Sequence, residues 1–315
     1  MRSELSSFIK NMIAASLIAV LMLLLVSCGG GGGGTPAPAD TQDEPEGSYE
    51  VPEFRDAGYE EAEAEGNDEV QVDLSGVNEG YFALICNSDV KIKLQVFKDD
   101  EVYTYDVVTG KEQVFPLQMG NGTYTIKVMK NIVDTKYSEL YCCTAEVNME
   151  DEFDPFLRPS QYADYDESSD CVVKAAELAA SATSANDFIT GVYDYVCKNI
   201  TYDKKKAASI EPGYIPDPDS TMEDGKGICF DYASLAASML RSQGIPTKII
   251  FGYVGEGEDL YHAWNMYYTK ESGWVAVEFE VSEDEWNRLD LTFSANGSDS
   301  RFIGDGSNYV DVYQF

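Results

Sequence analysis

The hydrophobic period changes twice along this chain, and those changes limit the folds open to it. Residues 90–97 read Val-Lys-Ile-Lys-Leu-Gln-Val-Phe, an alternation of period two that suits a strand buried on one face. Residues 102–108 and 114–117 repeat the pattern more briefly. A Gly-Asn-Gly turn at 120–122 precedes another alternating run at 123–129, and 137–147 closes the series. Several strands at this spacing predict a small all-β, sandwich-like domain over residues 69–150. Residues 151–167 carry Pro155 and Pro159 and read as a linker. From Ser168 the apolar spacing becomes helical, over 172–181, 187–198 and 229–243. Gly244 is placed as the C-terminal stop of the third helix. Strand patterns then return at 247–254, 261–268, 274–279, 286–291 and 309–315. Helices followed by antiparallel strands predict an α+β domain over residues 168–315.

Composition agrees that most of the chain folds. Of 315 residues, 44% are hydrophobic, with 21 Tyr and 14 Phe, which is enough apolar area for a core. The formal net charge is -34, from 22 basic and 56 acidic residues. Such a surface repels phosphate backbones, so nucleic acid is excluded as an expected partner.

The N-terminal region has a different composition. Residues 12–26 are an almost unbroken apolar run, short of the roughly 20 residues a spanning helix needs. This reads as a signal-peptide core. It ends in Leu25, Val26, Ser27 and Cys28, which resembles a bacterial lipobox. That resemblance implies a lipoprotein signal over residues 1–28, with lipidation of Cys28 and anchoring on the extracellular face of the bacterial cell membrane. Six glycines and an acidic stretch follow, so residues 29–68 are expected to form a disordered tether.

The seven cysteines are 28, 86, 142, 143, 171, 197 and 229. An export signal permits disulfides, but spacing does not pair them. There is no Cys-x-x-Cys and only one histidine, so neither a metal nor another cofactor is expected. Asp217 and Asp219 lack the glycine placement of a calcium loop and read as an acidic loop. The run Lys204, Lys205 and Lys206 reads as solvated.

Cys229 follows Gly227 and Ile228 and opens a predicted helix. Backbone N–H groups at a helix start favour a thiolate and can donate to an oxyanion. His262, on a predicted strand, is the base that a cysteine nucleophile requires. A third group should orient the imidazole, and two carboxylates are spaced for it. Glu278 is the fourth residue after Trp274, and Asp290 the fourth after Trp286. Asp290, at an expected strand end, is preferred.

Five blocks in order carry a family resemblance. They are residues 227–233 (Gly-Ile-Cys-Phe-Asp-Tyr-Ala), 239–246, Gly252 with Tyr253, 262–265 (His-Ala-Trp-Asn) and 286–293. Together they resemble the transglutaminase-like superfamily over residues 168–315. The resemblance implies a papain-like/transglutaminase-like catalytic domain with a Cys229–His262–Asp290 triad. It implies Tyr202 as an oxyanion-stabilising candidate and Trp264 as a substrate-site candidate. It further implies acyl transfer on peptide or glutamine amides, ending in crosslinking or hydrolysis of a protein or peptide substrate. The alternative is a non-catalytic surface protein that binds peptide or glycan through the β-domain.

Overall fold

The computed structural model describes residues 48–254, 260–277 and 309–315. The expected signal peptide, Cys28 and the glycine tract lie outside the described residues. No described helix is long and apolar enough to cross a membrane.

The sheet-rich N-terminal region contains β1 (Ala64–Gly66), β2 (Val70–Asp73), β3 (Tyr81–Cys86), β4 (Ile92–Lys98), β5 (Glu101–Val107), β6 (Glu112–Pro116), β7 (Gly122–Val133) and β8 (Lys136–Val147). They form two four-stranded antiparallel sheets, ordered β1-β2-β3-β6 and β5-β4-β7-β8. Alternation explains their inner faces. Ile92, Leu94 and Val96 are buried on β4, as are Tyr124, Ile126 and Val128 on β7. The β4–β5 turn places Asp99 at φ 51°, a left-handed conformation that a short Asp side chain tolerates.

Next come α1 (Asp170–Ser181), α2 (Ala185–Asn199), β9 (Thr201–Tyr202), α3 (Lys204–Ser209), α4 (Pro218–Asp224), β10 (Lys226–Gly227) and α5 (Cys229–Ser242). The last strands are β11 (Thr247–Val254), β12 (Leu260–Thr269), β13 (Gly273–Val277) and β14 (Tyr309–Gln314), in an antiparallel sheet ordered β13-β12-β11-β14. Every residue of α5 from Asp231 to Ser242 is buried, so this helix is central. Gly244 ends it at φ 84°, with Ile245 N–H donating to Leu240 O at 3.0 Å. Arg241 is also buried there. Its guanidinium donates to the carbonyls of Thr247 (2.8 Å) and Phe315 (3.0 Å), tying α5 to β11 and to the chain after β14. Burial pushes its pKa down to about 10, so it stays cationic at neutral pH.

Two expected boundaries differ from the structure. The tether placed over 29–68 ends earlier, because the chain packs down from Ser48 onward. Tyr49 stacks on Phe188 at 5.3 Å and donates its hydroxyl to Gln243 O at 2.6 Å. Arg55 pairs with Asp151 at 3.1 Å and also with Asp154. An acid-rich composition masked these few anchoring side chains. The 151–167 segment is likewise packed rather than loose. Phe156, Leu157, Ala163 and Tyr165 are buried, and Gln161 N–H donates to Val114 O of β6 at 2.8 Å. The described residues accordingly form one compact unit. An aromatic cluster joins its halves, with Phe315 lying 5.3 Å from Tyr105 and 4.9 Å from Tyr162.

Candidate active site

Cys229 is the first residue of α5, and Ile228 before it has no side chain able to cap the helix. The third helical residue takes that role. Asp231 reaches back and accepts from Ile228 N–H at 2.8 Å. Its carboxylate is 0% exposed, and it is satisfied from outside the helix. Lys206 Nζ donates to it at 2.7 Å, and the Tyr214 hydroxyl donates to its other oxygen. Lys206 also donates to the Tyr214 oxygen at 2.6 Å. Lys206 is therefore not a solvated lysine. Asp203 caps α3 through the Lys205 and Lys206 amides and turns that side chain inward. Gly227 fits here only as glycine, since an added Cβ would lie 2.6 Å from the Asp231 Cβ. Sequence reasoning missed Asp231, Lys206 and Tyr214 as site residues. The Asp at the third helical position was the one local signal available.

The chain before the cysteine is held as a short parallel pair, Gly227 opposite Tyr202. Asp203 N–H donates to Gly227 O at 2.8 Å. This puts Tyr202 beside the nucleophile. Burial raises the Tyr202 pKa first, and the Cys229 thiol and Asp231 raise it further, so its hydroxyl keeps its proton.

β12 supplies the other wall. The Ala263 backbone N–H lies near enough to the Cys229 sulfur to draw the thiol pKa down. Described pairing between β12 and β13 runs from Asn265 to Thr269. Asn265 pins the strand to the helix, donating to Ala233 O at 3.0 Å and to Lys248 O at 3.3 Å. His262, 8% exposed, is adjacent in sequence to the amide that lies near the sulfur. Its cross-strand neighbour on β11 is Gly252, which places no side chain against the imidazole. Trp264 is 1% exposed and contributes packing. Glu278, Trp286 and Asp290 lie outside the described residues.

The thiol balance differs from the expectation of a helix-start thiolate. Burial raises the Cys229 pKa most, and Asp231 adds to the rise. The amides of Ala263, Phe230 and Cys229 itself pull it back by less. The resting group is a protonated thiol that needs a base. No disulfide forms among the six described cysteines. Asp217 and Asp219 serve as helix caps, Asp217 accepting from Ser220 N–H at 2.8 Å and Asp219 from Cys171 N–H at 2.9 Å.

Residues 174–279 match the family model described as the transglutaminase-like superfamily. No curated protein matches the chain. Among solved structures, a candidate cysteine protease from Cytophaga hutchinsonii is 13% identical, with 80% of this chain and 73% of that chain covered and a TM-score of 0.40. Legionella pneumophila LapG is 17% identical over 45% of this chain and 67% of its own, with a TM-score of 0.31. Red sea bream transglutaminase is 12% identical over 63% of this chain and 47% of its own, with a TM-score of 0.29. Likenesses at this level carry no weight by themselves. The family match rests on the segment that holds α5 and β12, and this chain carries a transglutaminase-like superfamily domain over residues 174–279.

Proposed function

We propose that the chain is a transglutaminase-like cysteine acyltransferase or peptidase acting on peptide or glutamine amides. The observation that supports this best is the position of Cys229 at the start of α5 beside the Ala263 backbone of β12, next to the chain's one histidine. In this reading His262 takes the thiol proton and the sulfur attacks the amide carbon. The C–N bond breaks as the imidazolium returns the proton to the departing amine. A thioester remains, and an amine or water resolves it. The Phe230 amide at the start of α5 and the protonated Tyr202 hydroxyl are the donors proposed for the oxyanion. The two N-terminal sheets are read as a small β-sandwich, and the whole as a lipoprotein held through Cys28 on the outer face of the cell membrane, with protein or peptide substrates.

Incubating the full chain with a glutamine peptide and a labelled amine tests the chemistry. Amine incorporation that disappears in Cys229→Ala is the result expected for transfer, and Cys229-dependent release of free acid the result for hydrolysis. If neither product depends on Cys229, the enzymatic reading fails and a binding role for the β-domain takes its place.

The orienting acid is proposed from two carboxylates. Asp290 follows from the sequence pattern, while the family match closes at residue 279, which includes Glu278 and leaves Asp290 out. β13 also carries the chain toward the Asn265 end of its pairing, so Glu278 follows directly from Val277. Comparing Glu278→Gln with Asp290→Asn decides between them. The true partner's variant should lose about 10²-fold or more in kcat with little change in KM. Equal, small losses in both would remove the acid from the reading.

A further inference from the structure

The β5-β4-β7-β8 sheet ends in three stretches of chain with an unusual surface. β7 pairs with β4 only as far as Lys130, opposite Ile92, so the β7–β8 hairpin runs on past its neighbour as a two-stranded ribbon. Asp134 turns its tip at φ 50°. Val107 of β5 also lies opposite Ile92, and Asn131 N–H donates to Lys91 O at 2.9 Å. Residues 87–91, 108–111 and 131–137 therefore meet at one end of the sheet. Ile132 and Val133 are 63% and 51% exposed, the highest values of any large hydrophobic side chain among the described residues. Val90 and Val108 add 41% and 42% at the same end. Single exposed aliphatics need no explanation, but four of the nine exposed large hydrophobics gathered in one place do. A two-stranded ribbon gains little stability from itself, so folding does not account for aliphatic side chains at its tip.

Charge sets this end apart as well. Lys91 and Lys136 balance Asp89 and Asp134, and Lys111 is paired with Asp164 at 2.7 Å. The end is close to neutral in a chain of net charge -34, so it escapes the repulsion that anionic headgroups exert on the rest of the surface. Aliphatic tips flanked by lysines, whose stems lie along apolar surface while the ammonium stays in water, suit a headgroup layer. They suit a second copy of this chain less well, because two bodies of charge -34 repel each other and this end offers nothing to offset that. The chain ahead of the folded part supplies a further argument. Cys28 stands 20 residues before Ser48, where the described structure begins. A stretch of that length spans at most about 70 Å, and about 25 Å as a random coil. A chain anchored at Cys28 thus keeps this end within reach of the bilayer.

We infer that this end of the sheet rests on the lipid bilayer, with Ile132, Val133, Val90 and Val108 entering the headgroup layer and Lys91 and Lys136 facing lipid phosphates. The inference rests on the lipoprotein reading for the nearness of the bilayer. It also bears on the active site. Gly213 lies against Asp106 of β5, where an added Cβ would meet the carboxylate carbon at 3.1 Å, and the neighbouring Tyr214 is bonded to Asp231. A domain resting on this end holds that loop close to the membrane surface.

The full chain is reconstituted in vesicles of phosphatidylcholine and phosphatidylglycerol, with acyl chains either plain or dibrominated, since bromine quenches tryptophan only inside the bilayer. Ile132→Trp and Val90→Trp each add emission to that of the three native tryptophans, and brominated lipid should cut the added part about twofold. Val102→Trp, 40% exposed at the opposite end of β5, should lose none of its added emission. In the Val90→Trp chain, adding Ile132→Asp with Val133→Asp should abolish the quenching. Lipidation of Cys28 is read separately, from the mass of the N-terminal peptide. A chain without it, held on the vesicle by the apolar run at 12–26, still reports on the tip, so failure of the anchor and failure of the contact are distinguished. Quenching at position 132 no greater than at 102 overturns the inference. So does quenching at position 90 that survives the two aspartates. A dimer in detergent that the two aspartates dissolve gives the patch to a second copy and overturns it too.

Discussion

Replacing His262 with alanine is expected to lower turnover on a glutamine peptide by about 10³-fold, the range general acid–base catalysis supplies. The burial balance at Cys229 is the reason. The thiol is raised rather than lowered, so at neutral pH little thiolate forms unless a base takes the proton. The pH dependence has a definite sign. With His262 present, activity should rise as the imidazole becomes neutral. Without it, residual activity should keep rising through the neutral range toward the elevated thiol pKa, and the acidic limb should move to higher pH. The double variant Cys229→Ala/His262→Ala should be no slower than Cys229→Ala alone, because the two act as one unit. Initial rates from pH 5 to 9, with alkylation of Cys229 by iodoacetamide in parallel, check both effects. A His262→Ala chain that keeps a tenth of its activity, or whose acidic limb does not move, would rule out this pairing. His262 is buried opposite Gly252, so a circular dichroism spectrum is needed to show that the variant is folded.

How much of this was legible in the sequence depends on the range of the interaction involved. The 247–254 strand was read to the residue, and the α5 start at Cys229 with its stop at Gly244 came from local rules of capping and turn chemistry. The inner faces of β4 and β7 followed from alternation. β9 and β10 were out of reach, because two residues each give no period to detect. They exist because Thr201 and Tyr202 lie beside Lys226 and Gly227, a pairing across the loop. The order of Cys229 and His262 was readable, but the approach of the Ala263 amide to the sulfur was not, since it depends on how α5 packs against β12. The same holds for the thiol. A helix start argues for a lowered pKa, and only the fold reveals that burial outweighs it. Lys206 is the plainest case. Three consecutive lysines look solvated, yet one of them closes a contact 25 positions away.

That contact supplies the second large effect. Asp231→Ala should destabilise the chain by roughly 3 kcal/mol, since it leaves the buried Ile228 N–H without its acceptor and Lys206 without its counter-charge. In a domain of this size that corresponds to a fall in Tm of about 6–12 °C. Stability alone would not place the residue in the site, but thiol reactivity separates it from an ordinary core acid. Asp231 is one of the groups that raise the Cys229 pKa. Asp231→Asn removes that charge while keeping an oxygen for Ile228 N–H, so Cys229 should alkylate faster at pH 6 to 7 even though the protein melts earlier. Lys206→Met acts in the other direction. It leaves the 0% exposed carboxylate with only the Tyr214 hydroxyl and the Ile228 amide, so the uncompensated charge should slow alkylation while stability again falls. Two substitutions in one ion pair would then share the sign of their effect on Tm and differ in the sign of their effect on the nucleophile. The double variant should lose less stability than the sum of the two, because each single change strands the other partner. If both single variants slow alkylation alike, the network acts on Cys229 only by holding the helix start in place, and its charge has no part in setting the thiol.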